Sequence, residues 1–145
     1  MSSVKIVCPE CSRVTAVQLS QEDKEHICLH CQAELDDPFP LEVDDEICAL
    51  HIRENDIPIL VDFYSNYCAP CMAMVDDYED AALGFPMKVR FLKIDGDAHQ
   101  KIAQQYRVGA LPTIIAFKNG KEVNRVSAQL SQVELRLWAE ALLEL

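Results

Sequence analysis

The sequence predicts an α/β protein with a mixed central sheet flanked by helices and a small cysteine-rich module in front. Three observations predict it. Strand-like and helix-like apolar runs alternate from about residue 42 to the end. Asn119-Gly120 stands between two apolar runs, the mark of a hairpin whose two turn residues both need positive φ. The first 36 residues hold four of the seven cysteines and few large side chains. Val4, Ile6, Val7, Val14, Val17, Leu19 and Ile27 are too few to make a core, so another staple is needed.

Composition narrows the function classes. The chain has 145 residues, half of them apolar and 26% charged, a globular balance. With 24 acidic against 13 basic residues the net charge is −11, which argues against nucleic acid and against anionic membranes. No apolar run approaches the ~18 residues of a membrane helix, and no apolar leader follows Met1. Six of the seven cysteines form three Cys-x-x-Cys pairs. Metal and redox chemistry in a reducing, cytoplasmic setting fits this pattern better than a disulfide framework.

The elements follow in order. Asp36-Asp37-Pro38-Phe39-Pro40 reads as extended, because proline disfavours helix at itself and at the residue before it. The expected organisation is a module over 1–36, a linker over 37–41 and a domain over 42–145. Asp44-Asp45-Glu46 opens a short helix, with acids at the positive end of its dipole and Ile47, Leu50 and His51 on its inner face. Ile59-Leu60-Val61-Asp62-Phe63-Tyr64 is nearly all apolar, as a buried central strand is. One long helix is expected next, with Cys71, Met74, Val75, Tyr78, Ala81, Ala82 and Phe85 at helical spacing. A strand over 89–94 follows. Asp97 is placed to cap a helix that buries Ile102, Ala103 and Tyr106 and ends before Gly109. The hairpin strands flank Asn119-Gly120, and Ser131-x-x-Glu134 is a capping box for a last helix with Leu135, Trp138, Leu142 and Leu145 inside.

Two chemistries are written in the cysteines. Cys8-Pro9-Glu10-Cys11 and Cys28-Leu29-His30-Cys31 are knuckles 16 residues apart. Each turns the chain tightly enough for two thiolates to share one ion, and two knuckles complete a closed tetrahedral shell. Cys8, Cys11, Cys28 and Cys31 are thus predicted to hold one structural ion, zinc ahead of iron in a rubredoxin-like shell, with His26 and His30 as bystanders. Cys68-Ala69-Pro70-Cys71 sits instead between a buried strand and a helix. There the first cysteine meets unpaired helix N–H groups that favour a thiolate, and Pro70 fits the first helical turn. A nucleophile and a resolving thiol one turn apart make disulfide exchange reversible. Cys48, the seventh, reads as a small buried hydrophobe.

The stretch Val61-Asp62-Phe63-Tyr64-Ser65-Asn66-Tyr67-Cys68-Ala69-Pro70-Cys71 resembles the active-site segment of the thioredoxin family. Leu111-Pro112-Thr113 resembles that family's cis-proline loop, and Phe117-Lys118-Asn119-Gly120 its hairpin. With the four-cysteine module in front, the chain resembles the zinc-bearing, bacterial thioredoxin-2 type. The resemblance implies a thioredoxin fold over roughly 40–145. It implies that Cys68 attacks, Cys71 resolves, Asp62 helps deprotonate the resolving cysteine and Pro112 is cis beside the dithiol. Tyr67, Ala69, Pro70, Leu111 and Thr113 would touch substrate. The pattern also departs from the family. Ala69 stands where glycine is usual, Met72 replaces a cation, Phe91 replaces a lysine near the buried aspartate, and Ser127 falls near a usual glycine.

The expected activity is reduction of disulfide-bearing proteins through Cys68 and Cys71. No nucleotide or flavin motif is visible, so electrons are expected from an external thiol reductase such as a thioredoxin reductase. A zinc-controlled redox-sensing or chaperone module, and a dithiol oxidase or isomerase, are the alternatives.

Overall fold

In a computed structural model, residues 3–18 and 26–145 are described. Leu19 therefore lies outside the described residues. The N-terminal part is an antiparallel hairpin of β1 (Ser3–Val7) and β2 (Val14–Gln18), with Val7 opposite Val14. The main sheet has five strands: β3 (Leu41–Glu42), β4 (Ile59–Tyr64), β5 (Arg90–Asp95), β6 (Thr113–Lys118) and β7 (Lys121–Val126). Their order is β3-β5-β4-β6-β7. β3 and β4 run parallel to β5, whereas β6 is antiparallel to both β4 and β7. This is the expected mixed sheet, parallel first and closed by a hairpin. Asn119 and Gly120 turn that hairpin with φ of 53° and 79°.

All of β4 is buried, and its alternate residues serve opposite layers. Leu60 packs with Met74, Tyr78, Phe91, Ile114, Leu135 and Leu142, under α3 (Val75–Ala82) and α5 (Gln132–Leu143). Ile59, Val61 and Phe63 pack with Leu92, Ile94, Ile115 and Phe117, against α1 (Asp45–Glu54) and α4 (Lys101–Gln105). Asp62 shares its face with Leu60, so it points into the layer that holds the dithiol helix.

Four local expectations differ from what forms. The single long helix is two, α2 (Ala69–Ala73) and α3, joined at Met74, and Phe85 is buried from the loop beyond them. Leu41, expected in the linker, pairs with Leu92 as the start of an edge strand. Asp97 does not cap α4, which begins at Lys101 without a side-chain cap on Gln100. The carboxylate of Asp97 takes the Ser65 hydroxyl instead, and Asp45 Oδ1 accepts from Ile102 N at 2.9 Å, capping the helix from a distant element. Leu145 is exposed and Ala139 takes the buried position, because α5 ends at Leu143. In α1 the buried residues are Cys48, His51 and Ile52, while Ile47 is half-buried against the same layer. The Ser131–Glu134 capping box forms as expected.

The hairpin module does not close its own core. Ile6, Cys8, Val17, Cys28 and Leu35 cluster with Ile57, which comes from the loop before β4, and Met87 packs against them. Along its outer edge β1 is hydrogen-bonded to the main domain. Lys5 N donates to Asp56 Oδ2 (2.7 Å), Asp56 N to Lys5 O (2.8 Å) and Val7 N to Asn55 Oδ1 (2.8 Å). No helix among the described residues is long and apolar enough to cross a membrane.

Candidate functional site

Cys68 is the N-cap of α2, with extended backbone (φ −103°, ψ 112°), and its sulfur accepts from Cys71 N at 3.3 Å. Cys68 and Cys71 are joined in a disulfide with Cα atoms 5.2 Å apart. The two sulfurs are not equivalent. Cys68 is half-buried at the rim, and Cys71 is 1% exposed beneath it. Pro70 lies in the first turn, where a missing N–H leaves nothing unpaired.

Facing the dithiol is the loop before β6. The Leu111–Pro112 bond is cis, and the Leu111 carbonyl oxygen lies 3.5 Å from Cys68 Sγ. Around this pair Tyr67 (94% exposed), Ala69, Pro70 and Met72 are exposed, and Leu111 is half-buried. Thr113 is different from the other expected substrate contacts. It is buried, and its hydroxyl donates to Ala110 O (2.6 Å) and sits 2.9 Å from the hydroxyl of Ser127. Its side chain holds the loop from below.

Behind the dithiol, Asp62 is 2% exposed and its Oδ1 has no hydrogen-bond partner. Burial pushes its carboxyl up to about 7; Lys93 pulls the other way and Glu42 adds to the rise. Lys93 is the register partner of Asp62 on β5, its ammonium lies 4.8 Å from the centre of the Tyr64 ring, and Tyr64 donates its hydroxyl to Glu42 Oε1 at 2.6 Å. Sequence reading marked Phe91 as the loss of a lysine near Asp62. It missed that Lys93 supplies a cation on the same sheet face, a relation that only the strand register reveals. It also missed Ser65, which donates to the Asp97 carboxylate and accepts from Tyr67 N (3.1 Å). A serine two residues before a turn residue was the available signal.

The four other paired cysteines converge. Their sulfurs lie within 4.8 Å of one another, with Cys8–Cys31 at 3.6 Å and Cys11–Cys28 at 3.7 Å. Zinc–sulfur bonds of ~2.3 Å in a tetrahedron place sulfurs about 3.8 Å apart, so the spacing fits that ion. Both knuckles donate backbone N–H groups to their first sulfur, from Glu10 at 3.4 Å and His30 at 3.4 Å. Four thiols meeting this closely, with donors aimed at sulfur, suit a closed metal shell.

Fold and dithiol together define the class, a thiol–disulfide oxidoreductase. Residues 40–141 match the thioredoxin family, and the chain belongs to that family. It is similar to thioredoxin C-3 of Corynebacterium nephridii, 28% identical over 139 residues that cover 96% of this chain and 95% of that protein. It is also similar to thioredoxin Y of rice chloroplasts, 37% identical over 64% of this chain and 55% of that protein. Among solved structures, a mutant thioredoxin from Halobacterium salinarum NRC-1 superposes with a TM-score of 0.68 at 30% identity, covering 78% of this chain and 96% of that one.

Proposed function

We propose that this protein reduces disulfides in other proteins and carries one structural zinc, as the zinc-bearing thioredoxin-2 type does. The reading rests on the unequal exposure of the dithiol, Cys68 at the rim beside Leu111 and Cys71 beneath. Only the rim sulfur is open to a substrate. The Cys68 thiolate, favoured by the N–H of Cys71, attacks one sulfur of a substrate disulfide. A Cys68–substrate disulfide forms and the other substrate sulfur leaves as thiolate. The Cys71 thiolate then attacks Cys68 Sγ, closing the internal disulfide and freeing the second substrate thiol. Two electrons pass to the substrate, and the leaving thiolates take up two protons.

Asp62 is the base for Cys71. Its carboxyl, pushed up to about 7 by burial, gains and loses a proton near neutral pH. Pro112 shapes the loop against which substrate lies, Tyr67, Ala69, Pro70 and Leu111 form the contact surface, and Thr113 fixes that loop. An external thiol reductase such as a thioredoxin reductase returns the electrons.

Cys8, Cys11, Cys28 and Cys31 hold the zinc in a module over 1–36, followed by a linker that ends before Leu41, where β3 begins, and then by the catalytic domain. The setting is the cytoplasm of a bacterium. The test is insulin-disulfide reduction with equilibration of the dithiol against dithiothreitol. A potential near ~−270 mV, and loss of activity in Cys68→Ser, are expected. A potential of ~−180 to −120 mV would replace reduction by isomerisation or oxidation.

A further inference from the structure

Arg90 opens β5 in the main sheet, yet its side chain reaches the metal module. It is 5% exposed and is the only buried lysine or arginine among the described residues. Its Nη2 donates to the carbonyl of Val7 (3.3 Å), the residue before Cys8, and its Nε has no hydrogen-bond partner. Among the described residues it forms no ion pair with a carboxylate. A buried guanidinium is expensive without a counter-charge, and arginine does not discharge to avoid the cost.

The neighbouring histidine gives no relief. His51 is fully buried, and burial and then Arg90 push it down to about 3, so it is neutral. Its Nδ1 accepts from Asn55 Nδ2 at 2.8 Å, and Asn55 Oδ1 in turn holds Val7 N. Both backbone polar groups of Val7 are thus taken by side chains of the main domain. The next residue is Cys8, whose sulfur is buried in the four-cysteine cluster. Burial lowers the Arg90 guanidinium, and negative charge at Cys8 and at Asp37 would raise it again. Neutral thiols would provide no such compensation. Four thiolates around a divalent ion do, because that shell keeps a net negative charge.

We propose that Arg90 is the counter-charge of the four-cysteine metal centre, so that zinc affinity is built partly by the catalytic sheet. The proposal rests on the zinc reading above. The guanidinium and the thiolate shell compensate each other across the seam between module and domain.

The experiment is zinc affinity of the full chain by competition with a chromogenic chelator, for wild type, Arg90→Gln, Arg90→Lys and Asp56→Ala. Arg90→Gln keeps a donor for Val7 O but loses the charge, and its affinity should fall roughly 10- to 100-fold, the range for groups that support metal ligands. Arg90→Lys keeps the charge and should stay within about threefold of wild type. Asp56→Ala cuts a docking bond without touching the charge and should also stay close. Equal affinity in Arg90→Gln and wild type overturns the proposal, as does an equal loss in Asp56→Ala. Should Arg90→Gln fail to fold, hydrogen exchange on the wild-type chain decides. Stripping zinc should lower protection across β5 as the guanidinium seeks water, and unchanged protection there overturns the proposal. A wild-type chain that takes up no zinc overturns the zinc reading itself, and this proposal with it.

Discussion

The Cys-x-x-Cys at 68–71 and the two at 8–11 and 28–31 begin alike. In each, the N–H of the fifth residue returns to the carbonyl of the first cysteine, from Ser12 (3.0 Å), Gln32 (3.0 Å) and Met72 (3.1 Å). The second cysteine's N–H also meets the first sulfur, from Cys11 at 3.5 Å and from Cys71 at 3.3 Å, and the Cys31 N–H does the same for Cys28. The fifth residue separates them. Ser12 and Gln32 are left-handed, with φ of 65° and 63°, and turn the chain back so that Cys8 N pairs with Arg13 O and Cys28 N with Ala33 O. Met72 is helical and the chain runs on to Met74. The reversed turns present their sulfurs to each other across the module, whereas the helical turn presents its two sulfurs only to each other and to the Leu111 loop. One backbone dihedral region thus divides the pairs that converge on the four-cysteine cluster from the redox pair.

The largest effect on this contrast should come from Cys68→Ser. Disulfide reduction should fall by roughly three orders of magnitude or more, with zinc content unchanged, read by an insulin assay and metal analysis on one sample. Cys28→Ser should do the reverse. It should abolish zinc binding and destabilise the chain by several kcal/mol, about 2–5, in a denaturant titration. The dithiol should still react, because no ligand cysteine touches it.

Asp62→Asn sharpens the redox half. Loss of the proposed base should slow turnover at pH 7 by roughly a hundredfold. Stability should move the other way. Burial pushes the Asp62 carboxyl from an ordinary 3.8 up to about 7. The folded chain therefore binds this proton more tightly than the unfolded one, and wild-type stability declines as pH rises through that window. Asp62→Asn should be the more stable chain above pH 7, by about 2 kcal/mol or more, and the advantage should vanish towards pH 4. The smallest effect should belong to Ser65→Ala, which removes the bond to Asp97 and the acceptor for Tyr67 N. About 1 kcal/mol of stability and a few-fold loss in turnover are expected, by thermal melting and insulin reduction.

Much of this was legible from residue patterns, because the patterns are local. The Asn119-Gly120 turn, the Ser131–Glu134 box and the buried run of β4 each carry their cause in adjacent residues. The cysteine spacings suggested two different jobs, but not the left-handed backbone of Ser12 and Gln32, since neither residue is one that usually signals it. What stayed hidden depends on long-range register. Asp97 looked like a helix cap and instead holds Ser65. Lys93 joins Asp62 only through the pairing of β4 with β5, and Arg90 meets the four-cysteine module only because β1 docks there. The break at Met74 has no proline or glycine to announce it.

The central claim is that two uses of one motif are kept apart by the backbone. The most direct test is to follow zinc content while the Cys68–Cys71 pair is cycled between oxidised and reduced forms against dithiothreitol. The account predicts two electrons exchanged per chain with one zinc retained throughout. Zinc leaving in step with oxidation of Cys68 and Cys71 would contradict it.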